Sequence, residues 1–325
     1  MGKLLGLLLL MTLSSTIGCI ASSSTTDPPV LVSPIPDSPS PELPSPLPHR
    51  RYGGGGHHVR GEWIVFGGNA PGEDSARETL RFDPLTREWQ PLASLHQRHN
   101  FVGSVVIDEE IYAVGPAIER YDRANNRWEA LYVGNGLPRS HVFAAALEGE
   151  IFVLGGFPIE RAHLQVFGVA TRVLRDGPPL PDFQPGDHFV ITATLAGGVH
   201  AVGGLDHETT QPETRHWRLQ DETWIERAPH PTGVSGKFTA WCVHRDRLYV
   251  FEESGHVYDP ETNRWTKLAA PPRSRVLPVT IGVGNTLVML GGLEPVERKN
   301  EAWVYEINED RWRPLFAEEG QSEAR

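Results

Sequence analysis

The chain is poor in sulfur, with two cysteines and three methionines in 325 residues. Two cysteines can close at most one intrachain bridge, which excludes a disulfide-stapled scaffold. Long apolar runs are missing too. The longest, Leu4 to Leu13, has about ten residues, roughly half of what a helix needs to cross a bilayer. Basic charge is in deficit, since 30 Lys and Arg against 41 Asp and Glu leave a net charge of −11. A general affinity for nucleic acid is therefore disfavoured. No HExxH, GxSxG, P-loop or CxxC occurs, so the common signatures of zinc peptidase, serine hydrolase, nucleotide and dithiol chemistry are absent. Neither a cofactor nor a metal is expected.

What is present begins with the N-terminus. MGKLLGLLLLMTLSSTIGC places one lysine, an apolar core and small residues before a cysteine, the pattern of a cleavable secretory signal over 1–18. With Thr16-Ile17-Gly18 before Cys19 the segment resembles a bacterial lipoprotein signal, although Thr16 stands where that motif usually has Leu. The resemblance implies export, lipidation of Cys19 and membrane attachment through that lipid alone, with plain secretion as the alternative. Residues 19–51 follow as Ser, Thr and Pro, with nine prolines between Pro28 and Pro48. Such a segment has too little apolar surface to fold and reads as an extended tether. If Cys19 carries lipid, Cys242 has no partner and reads as a buried, inert thiol.

The rest of the chain repeats itself. An aromatic residue is followed seven positions later by Trp at Phe82/Trp89, Tyr121/Trp128, Trp217/Trp224, Tyr258/Trp265 and Tyr305/Trp312, with a degraded copy at Phe167/Leu174. Constant spacing around variable residues is the behaviour of a tight hairpin, because one inserted residue would turn the second strand over. Upstream of each hairpin lies an apolar run such as WIVFGG, IFVLGG or LVMLGG, and before that a further run joined to it by a short turn. Each unit thus holds four strands, a to d. Taking the first residue after the apolar run as marker (Gly67, Gly115, Gly155, Gly203, Glu252, Gly291), the units recur at 48, 40, 48, 49 and 39 residues. Four strands per 40 to 50 residues is the period of a propeller blade.

The diglycine, the aromatic-Asp hairpin and the later Trp resemble the kelch repeat. The resemblance implies an all-β, six-bladed propeller over 52–317, followed by a tail at 318–325. Strand order places the b–c and d–a loops on one face. The interval from marker to hairpin aromatic is 15, 12, 14 and 14 residues in blades 1, 3, 4 and 6 but 6 in blades 2 and 5, so this is the variable face. The diglycines occur only before the long loops, where positive φ is needed.

Counting back from each apolar run brings Arg51, His99, Arg139, His188, Lys237 and Arg275 to the start of the innermost strands. They are read as a basic ring at the channel mouth, which either binds an anionic ligand or, as an Arg at this point often does in kelch repeats, bonds neighbouring loop carbonyls. Asp206, His207 and Glu208 add charge to the same face and are read as solvated. The function expected is binding of a protein or glycan of the cell envelope by a monomeric module. Two enzymatic alternatives come with the resemblance. A sugar mutarotase like the bacterial sialic acid enzyme would draw on Arg139, Arg275, His99 and His188. A galactose-oxidase-like copper site would need a tyrosine beside Cys242, and none adjoins it in sequence.

Overall fold

The computed structural model describes residues 42–70, 75–134, 136–137, 140–156, 164–181, 189–205, 211–293 and 301–316. The signal, Cys19, the tether to residue 41, the tail, Arg139, His188 and the Asp206–Glu208 trio lie outside the described residues. No described helix is long and apolar enough to cross a membrane.

Six four-stranded antiparallel sheets follow one another, each of four consecutive strands in the order a-b-c-d. Their spans are 55–91, 103–133, 143–176, 191–226, 240–268 and 279–314. The blades stand face to face, so the second strand of each is covered on both sides. This is why it reads as a continuous apolar run rather than an alternating one. Ile64, Val65 and Phe66 in blade 1 and Leu287 to Leu290 in blade 6 are all buried. The cores lie between blades: Ile191, Ala193 and Val202 of blade 4 pack with Leu248, Val250 and Tyr258 of blade 5.

The hairpin motif has two jobs. In YDPETNRW, Tyr258 stands opposite Trp265 in the register, which accounts for the fixed spacing. Asn263 takes the left-handed turn position at φ 53°. Its side-chain oxygen accepts from the Tyr258 hydroxyl at 2.8 Å and from the main-chain N–H of Ala228 at 3.0 Å, while the Trp265 indole donates to the Ala228 carbonyl at 2.9 Å. Ala228 belongs to the connection leaving blade 4, so this hairpin is tied to the blade before it. Asp310 repeats the pattern in blade 6, and Asn126 accepts the same two bonds in blade 2, where the Trp128 indole turns to the Thr79 hydroxyl instead. Asn263→Ala should therefore cost about 2 to 3 kcal/mol, from two hydrogen bonds and the left-handed backbone. Asn263→Asp keeps the acceptor and should cost less than about 1 kcal/mol. Equal losses for the two in chemical denaturation would refute the tie.

Among the described residues no strand is exchanged to close the ring. Residues 42–50 do that work. The Trp63 indole donates to the Glu42 carbonyl at 3.1 Å and the Trp89 indole to the Ser45 carbonyl at 2.9 Å. Ser45 is to Trp89 what Ala228 is to Trp265. Leu47 is buried in the seam with Leu80 of blade 1 and Val279 and Ile281 of blade 6. Residues 42–50, expected to belong to the tether, pack here in the place of the connection that would otherwise enter blade 1.

Candidate functional site

The six innermost strands enclose a channel of about 520 Å³, lined by residues such as His57, Ser104, Thr192 and Cys242. Arg51, His99 and Arg275 each precede such a strand, as the sequence implies, but they do not face the channel. Arg51 is fully buried; its guanidinium donates to the Gly67 carbonyl and pairs with the Glu78 carboxylate. Arg275, 2% exposed, donates to the Gly291 carbonyl at 2.6 Å and the Glu301 carbonyl at 2.9 Å, and pairs with the Glu301 carboxylate at 3.2 Å. His99 Nε2 lies 3.0 Å from Glu119, with neither side chain exposed. The three do one job: each joins the segment that enters a blade to the stem of that blade's third strand.

The electrostatics agree with that job. Burial lowers the Arg51 guanidinium from its ordinary range, opposed by the Glu78 charge and hydrogen bond. Burial acts to raise the Glu119 carboxyl, but the His99 hydrogen bond and the main-chain N–H groups of His96 and Gln97 outweigh it and leave the group lowered. Glu119 therefore stabilises the fold above the ordinary carboxyl range and ceases to as pH falls through its own lower value. The acidic partners went unread in sequence, although Glu78 and Glu301 each stand four residues before a hairpin aromatic.

The diglycines serve the same joint from the neighbouring blade. Gly291 and Gly292 have φ of 65° and 85°. The Gly292 N–H donates to the Arg51 carbonyl at 2.7 Å, as the Gly68 N–H does to the His99 carbonyl at 2.7 Å. A side chain at Gly291 would run into the Arg51 main chain.

What faces the mouth is the position two residues before each innermost strand: Gly53, Phe101, His141, Phe189, Phe238 and Leu277. Main-chain bonds carry this collar from blade to blade, including Val102 N–H to Gly53 O, Leu277 N–H to Lys237 O and Gly53 N–H to Leu277 O. The rings interlock, with Phe101 stacked on His141 at 4.0 Å and His141 edge-on to Phe189 at 4.9 Å between centres. His141, Phe189 and Leu277 hold left-handed backbone at φ 57°, 62° and 43°. Bulky residues avoid that region unless their surroundings impose it, and such positions concentrate at functional sites. Beside the collar lies a hollow of about 350 Å³ bounded by Tyr52, Phe101, Phe189, Phe238, Leu293 and Lys237. Phe238 is 39% exposed, and the Lys237 ammonium lies 5.4 Å from its ring centre. Of the six ring positions read from sequence, Lys237 is the described one whose charge reaches this surface.

Of the four groups named for an acidic-sugar mutarotase, Arg275 and His99 are therefore committed to carboxylates, and Arg139 and His188 lie outside the described residues. Cys242 does have a tyrosine neighbour that its sequence context hides: the register sets Tyr249 opposite it on the second strand of blade 5. Burial pushes both groups up to about 12, so both stay protonated at neutral pH. Among the described residues no three His, Cys, Asp or Glu side chains converge as metal ligands.

The chain is similar to Kelch-like protein 36 of Bos taurus, 25% identical over 270 residues, or 71% of this chain and 42% of that protein. With Kelch-like protein 35 of Mus musculus it shares 24% identity over 207 residues, 61% of this chain and 34% of the relative. With Kelch repeat and BTB domain-containing protein 1 of Cowpox virus it shares 23% over 251 residues, 69% and 43%. The chain thus spans between a third and a half of the length of these relatives. No protein-family model matches it. The chain is a six-bladed β-propeller of four antiparallel strands per blade, similar in sequence to kelch-repeat proteins.

Proposed function

We infer that this chain is an exported, lipid-tethered binding module that takes a protein ligand of the cell envelope at the channel mouth, on the face of the b–c and d–a loops. The observation that carries the reading is the collar, where the exposed Phe238 ring, left-handed bulky residues and the Lys237 ammonium meet. An apolar hollow rimmed by a polar group is how hot spots at protein interfaces are built. Phe238 and its neighbours suit an aromatic or aliphatic anchor of the ligand, and Lys237 suits a carboxylate beside it. Export and attachment rest on the signal-like start and Cys19, and a monomer on the self-contained ring.

The test uses the full chain immobilised against envelope extract. Phe238→Ala with Lys237→Glu should lose the captured protein by at least tenfold while the melting temperature stays within about 2 °C. Capture undiminished in the double variant would remove the mouth from the interaction. For the anchor, Cys19→Ala should abolish metabolic labelling by fatty acid, and equal labelling of both proteins would rule out lipidation.

A further inference from the structure

Blades 4 and 5 enclose a group of histidines that nothing above uses. His200 on strand b (Gly198–Val202) and His216 on strand c (His216–Gln220) belong to blade 4, His256 to strand c (Gly255–Asp259) of blade 5, and His230 to the connection between the blades. All four are buried. His200 Nδ1 lies 2.9 Å from His216 Nε2, and His216 Nδ1 lies 3.1 Å from the Ala228 carbonyl. His230 meets His256 at 4.7 Å and Trp265 at 4.6 Å between ring centres, and His216 meets Tyr258 at 4.4 Å.

The hydrogen bonds fix the protons. A carbonyl only accepts, so His216 Nδ1 carries hydrogen and donates to Ala228; neutral His216 then has a bare Nε2, to which His200 Nδ1–H donates. A proton added to His216 goes to Nε2 and sets donor against donor. The charged groups that act on the rings are cations: Arg218 and Arg227 on His200, Arg227 on His216, and Lys267 on His256, with the Tyr258 hydroxyl accepting from Arg227 at 3.2 Å. Among the described residues no carboxylate pairs with these rings. Main-chain carbonyls at Leu195, Ala228 and Gly233 favour the charged rings, but burial outweighs them.

The cluster sits under the connection 227–239. That connection is held by main-chain bonds from Arg227 to His216, His230 to Thr214 and Val234 to Glu213, and it ends at Lys237 and Phe238 of the mouth. We propose that His200, His216, His230 and His256 form an acid-sensitive latch, which holds the 227–239 connection while the rings are neutral and releases it when they take up protons. The latch works in the same way whatever the mouth binds.

The sign follows from proton linkage. Burial lowers His200 and His230 to about 3 and His216 to about 4, and it also lowers His256. The closed state therefore binds fewer protons than an opened one, whose rings titrate near the ordinary ~6.5. The closed form is fully favoured above about 6.5 and loses ground as pH falls, the opening constant rising about tenfold per pH unit for each ring freed.

Hydrogen exchange on the full chain reads this directly once rates are corrected for their intrinsic pH dependence. Between pH 7 and pH 5 the protection of 227–239 should fall on the order of 10²- to 10³-fold for two rings freed, while the histidine-free connection 269–278 changes by less than a factor of about three. His230→Phe should remove about one power of ten per pH unit from the fall. Imidazole NMR of the unaltered protein needs no variant and should show the four rings neutral at pH 6. Four ordinary titrations near 6.5 with unchanged protection of 227–239 would overturn the latch, as would equal loss of protection in both connections.

Discussion

Arg275→Ala should lower the stability of the propeller by about 3 to 5 kcal/mol, because it strands the Glu301 carboxylate and two carbonyls that the guanidinium now satisfies. For a domain of this size that is a fall in melting temperature on the order of 10 °C. Arg275→Lys keeps the charge but not the planar fork that reaches carbonyl and carboxylate together, so it should recover less than half of the loss. Lys237→Ala, by contrast, should leave the melting temperature unchanged, since that side chain is exposed. The comparison separates a ring that binds from a ring that builds. An Arg275→Ala protein with native stability and weakened ligand would return this arginine to the binding surface.

The second large effect is expected at the seam between the first and last blades. Leu47→Ala opens a cavity among Leu80, Val279 and Ile281 and should cost about 2 to 5 kcal/mol in chemical denaturation. Leu85→Ala is its control, because Leu85 is 94% exposed in a hairpin turn and should cost less than about 0.5 kcal/mol. The same reasoning extends to truncation. Starting the chain at residue 52 would remove Leu47 and leave the Trp63 and Trp89 indoles without the carbonyls of Glu42 and Ser45, so the shortened ring should unfold at markedly lower denaturant than the full one. If Leu47→Ala and Leu85→Ala behave alike, residues 42–50 do not close the ring.

The sequence alone determined the number of blades and the face on which the loops vary. Hairpin register makes the spacing of Tyr258 and Trp265 constant, and double-sided burial makes the second strand of each blade a continuous apolar run; both are local requirements that leave local traces. The innermost strand is also countable from such traces, which is why Arg51, His99, Lys237 and Arg275 fall where the count puts them. Which way a side chain points from that place is not a local matter. Only the tertiary structure decided that Glu78, Glu119 and Glu301 draw the basic groups inward, because each carboxylate comes from a strand whose stem the folding of the blade brings back. The same holds for the collar: Phe101, His141, Phe189 and Phe238 are unremarkable loop residues until six blades set them around one axis. The closing role of Leu47 and Ser45 inside a proline-rich stretch likewise exists only once the last blade meets the first, since a segment without apolar surface enough to fold by itself can still be ordered by the two faces it joins.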